Sequence, residues 1–182
     1  MPALARTSAE AVVAAALELV ERDGADALSM QAVASAVGIK GPSLYKRYAD
    51  RELLLDDVVR WALQDLDEKL SSARKKPGDP LQAMARTFRA YAHKHPRLYP
   101  LLFAARREGG DLQSRRAELV APLLGHLAGL VGQDHALDAA RLFTAWLHGF
   151  ISMELAGAFQ MGGSVENAFE FGLQRLAAGL RK

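Results

Sequence analysis

Between Thr7 and Asp50 the chain starts and stops helices at very short intervals, and this punctuation limits the fold more than any other feature. Thr7 followed three residues later by Glu10 is a capping-box pattern. The apolar stripe Val12, Ala16, Leu19 and Val20 then keeps helical spacing until Asp23-Gly24 stops it. Ser29 has the side chain of a second N-cap, and Gly38 supplies a left-handed stop after Val33 to Ala36. Pro42 stands where a first-turn proline loses no hydrogen bond and opens a third helix that ends near Tyr48. Asp50 caps a long helix from about Arg51 to Ala73. Three helices in about 45 residues leave room for one small shared core, for which Val33, Ala34, Val37, Ile39 and Leu44 are the candidates.

The rest of the chain reads as longer helices. Lys76-Pro77-Gly78-Asp79-Pro80 is a stop and a restart, with Asp79 as cap of a helix that runs to about His95. Pro96 and Pro100 bracket a turn-rich step into Leu101-Leu102-Phe103, closed by Gly109-Gly110. A helix from Asp111 to Val131, bent or restarted at Pro122, is followed by two more, Asp134 to Phe159 and Ser164 to Leu180, parted by Gly162-Gly163. Composition agrees with this all-α reading. Of 182 residues 61 are Ala or Leu, which enter helices at least cost, and only 15 are Val, Ile or Thr, too few to surface a sheet.

Several function classes drop out. The absence of cysteine removes disulfide scaffolds, thiolate metal sites and thiol nucleophiles, and it suits a reducing compartment. No run of about 18 apolar residues and no apolar leader occurs, so a cytoplasmic protein without membrane attachment is expected. His93 and His95 point about 200° apart on a helix, and His126 and His135 have only Asp134 between them, so no metal site is expected. No nucleophile–base pair or phosphate loop stands out. Neither a catalytic residue nor a cofactor is expected, and the run Arg74-Lys75-Lys76 reads as a solvated helix end where cations suit the dipole.

Charge is uneven although the formal total is only +2. Lys40, Lys46, Arg47 and Arg51 face Asp50 alone between Ile39 and Arg51, beside Tyr45 and Tyr48. Two short helices joined by a glycine-containing turn can present the second helix to a DNA major groove. On that helix Lys40, Ser43, Tyr45, Lys46 and Arg47 are the outward donors for phosphates and base edges, unless the cluster is simply a solvated surface. Arg51, a cation in a first helical turn, opposes the dipole there unless an anion such as a DNA phosphate compensates it.

The runs Leu28-Ser29-Met30-Gln31-Ala32-Val33-Ala34, Val37-Gly38-Ile39, Gly41-Pro42-Ser43-Leu44-Tyr45-Lys46-Arg47-Tyr48 and Asp50-Arg51-Glu52-Leu53-Leu54 resemble the N-terminal DNA-binding domain of the TetR family of transcriptional repressors, over residues 7–55 without a gap. The resemblance implies phosphate contacts by Ser29, Ser43, Tyr45 and Arg51, and places Gln31, Lys40, Gly41, Pro42, Lys46 and Arg47 near base edges. Gln31 stands where the family often has arginine, which turns a guanine preference toward adenine and leaves the operator sequence open. Tyr91 through Phe103, with Trp146-Leu147-His148-Gly149-Phe150, resembles a subgroup whose effector domain carries a Trp-His-Gly signature, here with Leu147 inserted.

A helix-turn-helix domain over 1–55 and a helical ligand-binding and dimerisation domain over 56–182 are thus expected. Met84, Phe88, Tyr91 and His95 share one helix face, and Leu142, Trp146, Gly149 and Met153 another; with Phe103 and Phe150 these are candidates to line a small-molecule pocket or simply a core. His148 and Glu154 are either polar anchors for a ligand or satisfied groups at an interface. Ala145, Gly149, Ser152 and Ala156, with Ala168, Gly172 and Gly179, form small-residue stripes on the last two helices, which in the family pair with their mates as a four-helix bundle. The expected function is a homodimeric repressor on a palindromic double-stranded DNA operator, released by a small apolar effector. The alternatives are a DNA-binding regulator without such an effector and a helical enzyme acting on an apolar substrate.

Overall fold

The computed structural model describes residues 8–104 and 111–181. Among them are eight α-helices and no strand: α1 Ala9–Asp23, α2 Met30–Val37, α3 Gly41–Tyr45, α4 Arg51–Arg74, α5 Pro80–Lys94, α6 Asp111–Val131, α7 Gln133–Leu155 and α8 Val165–Gly179. Thr7, expected to cap α1, and Gly109-Gly110 lie outside the described residues. The observed cap of α1 is Ser8, whose Oγ accepts the Ala11 N–H at 3.1 Å. The other predicted signals act where they stand. Ser29 Oγ accepts from Ala32 N at 3.1 Å, Asp50 Oδ1 from Leu53 N at 2.9 Å, Asp79 Oδ1 from Leu81 N at 2.9 Å, and Gly38 ends α2 at φ 73°, ψ 33°.

Three expectations change. A 3-10 turn at Ala25–Ala27 fills what read as plain loop between α1 and α2. Of the two expectations for Pro122, bend or restart, the restart falls away, since the residue sits inside one continuous α6. Helix α7 stops at Leu155, four residues short of Phe159, because Gly157 takes φ 65° and its N–H returns to the Glu154 carbonyl.

The chain divides into two compact units, one of Met1–Asp65 with His95–Arg115, the other of Leu66–Lys94 with Arg116–Lys182. In the first, α1 packs on α2 and α2 on α3, and Val12, Ala16, Val20, Val33, Ala34, Leu44, Leu54 and Val58 are fully buried. Removing such side chains from water is the main favourable term for a unit this small. Leu98 and Tyr99, which lead into a second 3-10 turn at Tyr99–Leu102, are also buried. In the second unit α5 packs on both α7 and α8, around Leu81, Met84, Ala85, Phe143, Ile151, Phe169 and Leu173.

Candidate functional site

Helix α3 is five residues long, too short to be stable alone, and is held through Leu44, 1% exposed, and Tyr48, 5% exposed. Its other side chains are left outside: Pro42, Ser43 and Tyr45 are exposed, as are Lys40 just before the helix, Lys46 and Arg47 in the turn just after it, and Gln31 on α2. Tyr45 is 55% exposed, unusual for an aromatic side chain and well placed for a partner outside the unit. The first turns of α2 and α3 meet at Gly41, where a Cβ would stand 3.4 Å from Gln31 Oε1. An amide donor–acceptor pair, a hydroxyl, a phenol and three cations are therefore gathered on one small surface. Ser29 uses its oxygen to cap α2 and keeps its hydroxyl hydrogen for an external acceptor.

The end of this surface is tied to α4. Tyr48 donates its hydroxyl to Asp57 Oδ2 at 2.8 Å, and burial raises the phenol pKa above its usual value, so that it stays a donor. Asp57 also receives Arg60, which reaches Asp111 Oδ2 at 2.8 Å. Arg51 does not stand outward with the other cations. Its Nε donates to the Leu28 carbonyl at 2.8 Å, Nη2 to the Ala25 carbonyl at 2.5 Å and Nη1 to Glu52 Oε1 at 2.5 Å. The charge that seemed to require an external anion is met from within the unit.

The residues expected to line a ligand pocket are divided between the two units. His95 and Phe103 belong to the first unit, where His95 Nδ1 lies 2.5 Å from Glu21 Oε1 and Phe103 sits edge-on to Tyr99 at 5.3 Å. In the second unit Trp146 stacks on Phe169 at 5.5 Å, and Phe150 meets the same ring edge-on at 5.4 Å. Met84 is buried, Phe88 and Gly149 are half-buried, and Met153 is 49% exposed on the same side of α7 as Leu142. The expected face of Leu142, Trp146, Gly149 and Met153 is thus split, because Trp146 leans onto α8.

Tyr91 alone of these lines an open groove of about 520 Å³ between α4 and α5, with Lys69, Lys76 and Lys94 around it and Thr87 and Ser72 beside them. Sequence reasoning missed the ion-pair cluster that joins α5 to α7 and α8. Arg89 donates to both oxygens of Glu154 at 2.6 and 2.9 Å and to Glu166 at 2.5 Å, and lies 4.4 Å from the Phe169 ring centre. His93 Nε2 is 2.9 Å from the same Glu154 carboxylate, and Arg86 holds Glu170 at 2.7 Å. The charge reversal between α5 and its partner helices was the available signal. His148 lies in the second unit with its pKa lowered by burial, which favours the neutral ring. No group of metal-ligating residues occurs, and no helix long and apolar enough to cross a membrane, among the described residues.

Residues 12–58 match the family described as "Bacterial regulatory proteins, tetR family", and residues 81–176 match "Tetracyclin repressor-like, C-terminal domain". An uncharacterized HTH-type transcriptional regulator of Mycobacterium tuberculosis is 34% identical, covering 98% of this chain and 84% of the relative. A protein of unknown function from Rhodococcus sp. RHA1 superposes with a TM-score of 0.82 at 22% identity, covering 96% of this chain and 95% of that one. A TetR variant of Acinetobacter baumannii AYE, solved in complex with minocycline, gives 0.69 at 24% identity, covering 93% and 94%. With the helix-turn-helix geometry and both halves of the chain matched, the protein belongs to the TetR family of transcriptional regulators.

Proposed function

We propose that the chain is a homodimeric repressor that reads a palindromic operator through residues 1–55 and is released by a small molecule bound within residues 56–182. The observation that carries this reading is the surface of α3 and the turn after it, where Tyr45, Lys46 and Arg47 are exposed between the buried anchors Leu44 and Tyr48. Gln31, Lys40, Gly41, Pro42, Lys46 and Arg47 are the proposed neighbours of base edges, with Ser29, Ser43 and Tyr45 on phosphates. Gly41 and Pro42 serve by bringing backbone close. In a two-fold dimer two such helices about 34–36 Å apart meet successive major grooves, which is why a palindrome is expected.

The effector would bind among the helices of residues 56–182. Phe88, Tyr91, Gly149 and Phe150 remain its candidate neighbours, with Met84 and Trp146 nearer to packing roles in the second unit and Met153 exposed on α7. The lysines around the Tyr91 groove give an apolar compound no particular support. Any compound that releases DNA must bind the two states unequally.

The test starts from a random-sequence duplex pool. The wild-type chain should select a palindrome and bind it with an affinity that falls steeply with salt, because phosphate contacts release counterions. Tyr45→Ala and Arg47→Ala should each lower that affinity at least about tenfold with little change in melting temperature. Unchanged affinity in both would remove α3 from the interface. A compound that raises the melting temperature and also displaces the palindrome, screened with minocycline among the first candidates, would support the effector.

A further inference from the structure

We infer that Arg51 is a positioning residue of the reading head, one that fixes the start of α2 from the first turn of α4 and does not itself hold a DNA phosphate. The inference rests on the proposed DNA-binding reading and departs from what the family resemblance implies for this position.

All three guanidinium nitrogens are engaged within the first unit. Nη2 and Nε donate to the carbonyls of Ala25 and Leu28, the first residue of the 3-10 turn and the residue just after it, while Nη1 meets Glu52. Leu28 is 2% exposed, so its carbonyl sits on a segment fixed by the core. It immediately precedes Ser29, the cap of α2. A planar fork with donors at fixed separation can span two carbonyls; a lysine ammonium, a single point on a flexible stem, cannot hold both in the same way.

The contact matters because of what lies next to it. Ser29 and Gln31 belong to the start of α2, and Gln31 Oε1 is the neighbour of Gly41 at the start of α3. Arg51 therefore sets the backbone from which both base-facing turns project. Its charge is already met by Glu52 and two carbonyl dipoles, and the side chain is only 32% exposed, so turning it outward to a phosphate would give up all three contacts and leave the Ala25 carbonyl with the Leu28 N–H. The same contact makes the first turn of α4 and the start of α2 move together, which is how a displacement of α4 would reach the base-facing side chains.

The experiment compares Arg51→Ala and Arg51→Lys with the wild type on two probes: the palindrome that the wild type selects from the random pool, and a scrambled duplex of the same composition. Folding is checked by circular dichroism and melting. Both variants are expected to lose about tenfold or more on the palindrome, to keep the wild-type affinity for the scrambled duplex, and to keep the wild-type slope of log affinity against log salt. Lysine is expected not to rescue. If Arg51→Ala lowers the salt slope by about one and lysine restores binding, Arg51 is a phosphate contact and the inference is overturned. It is equally overturned if affinity for both probes falls in parallel with the folded fraction, which marks a merely structural role, or if neither variant changes binding. A wild-type chain that selects no duplex at all overturns the DNA-binding reading and this inference with it, and that control separates the two failures.

Discussion

Gly172 owes its place to an indole. A Cβ added there would stand 2.6 Å from Trp146 Cζ2 and 3.1 Å from Cε2, so the ring lies against the α8 backbone and has no flexible end that can yield. Gly172→Ala should therefore destabilise the chain although alanine suits helices better. Overpacking costs about 1–3 kcal/mol, and roughly 1 kcal/mol is returned as helix propensity. The expected net loss of about 1 kcal/mol is read as a lower melting temperature; an increase would mean that Trp146 packs elsewhere. Arg89 and Glu154 make a second single-residue case. Their side chains are 14% and 12% exposed, and Arg89→Ala would leave the Glu154 carboxylate with His93 in place of a two-pronged guanidinium, at a cost of about 1–3 kcal/mol. The hydrogen bonds from Arg89, then those from His93, hold the Glu154 carboxyl below its ordinary value of 4.5. A depressed carboxylate contributes fully above that ordinary value and loses its contribution as pH falls through the lower folded one. The melting temperature of the wild type should thus drop on acidification below about pH 4.5, and part of that drop should vanish in Glu154→Gln. An identical acid profile in the variant would show that the cluster adds no pH-dependent stability.

At the scale of elements, what was legible in the sequence was what acts on its own backbone. Ser29, Gly38, Pro42, Asp50, Asp79 and Ser164 each satisfy or terminate a helix within three residues of themselves, so their side-chain chemistry suffices to read them. Ser29→Ala should cost about 1 kcal/mol, and because α2 has only eight residues and carries Gln31, operator affinity should fall along with melting temperature. A stability loss without any loss of operator affinity would separate the cap from the site. Illegible were the interactions made over long separations. The 3-10 turn at Ala25–Ala27 draws its carbonyl partner from Arg51, 26 residues onward, and His95 leaves the α5 face to meet Glu21 of α1 across 74 residues. Trp146 is the sharpest instance. Helical spacing put it on one face with Leu142 and Met153, but a large side chain reaches beyond its own face, and the missing Cβ of Gly172 gave the indole a slot that no periodicity announces. The donor surface of α3 was legible because its charge and hydroxyl density are local; the inward turn of Arg51 was not, because a first-turn cation looks the same whether its anion is a phosphate or a pair of carbonyls.

For the whole molecule, the property that the proposed dimeric reading turns on is the number of reading heads on one operator. The second unit leaves large apolar side chains exposed along α7 and α8: Leu142 is 53% exposed, Met153 49% and Phe171 61%, with Ala145, Ala168 and Ala178 exposed along the same helices. Large exposed apolar groups set among small ones suit close helix packing against a second copy, and a two-fold arrangement makes the same surface serve both partners. Leu142→Asp combined with Phe171→Asp would place like charges face to face in such an interface while leaving the buried Phe143, Phe169 and Leu173 untouched. The expected result by sedimentation and light scattering is a folded monomer with a near wild-type helical spectrum. A monomer engages half of the palindrome, so its affinity for the full operator should fall to that for an isolated half-site. The drop should be large because the dimer holds its second head at an effective concentration of the order of millimolar. Because each head is intact, the variant should still discriminate a half-site from a scrambled duplex, and Tyr45→Ala should abolish that remaining preference. A double variant that stays dimeric would move the interface away from Leu142 and Phe171; a monomer with full operator affinity would mean that one head suffices and that the palindrome is not required.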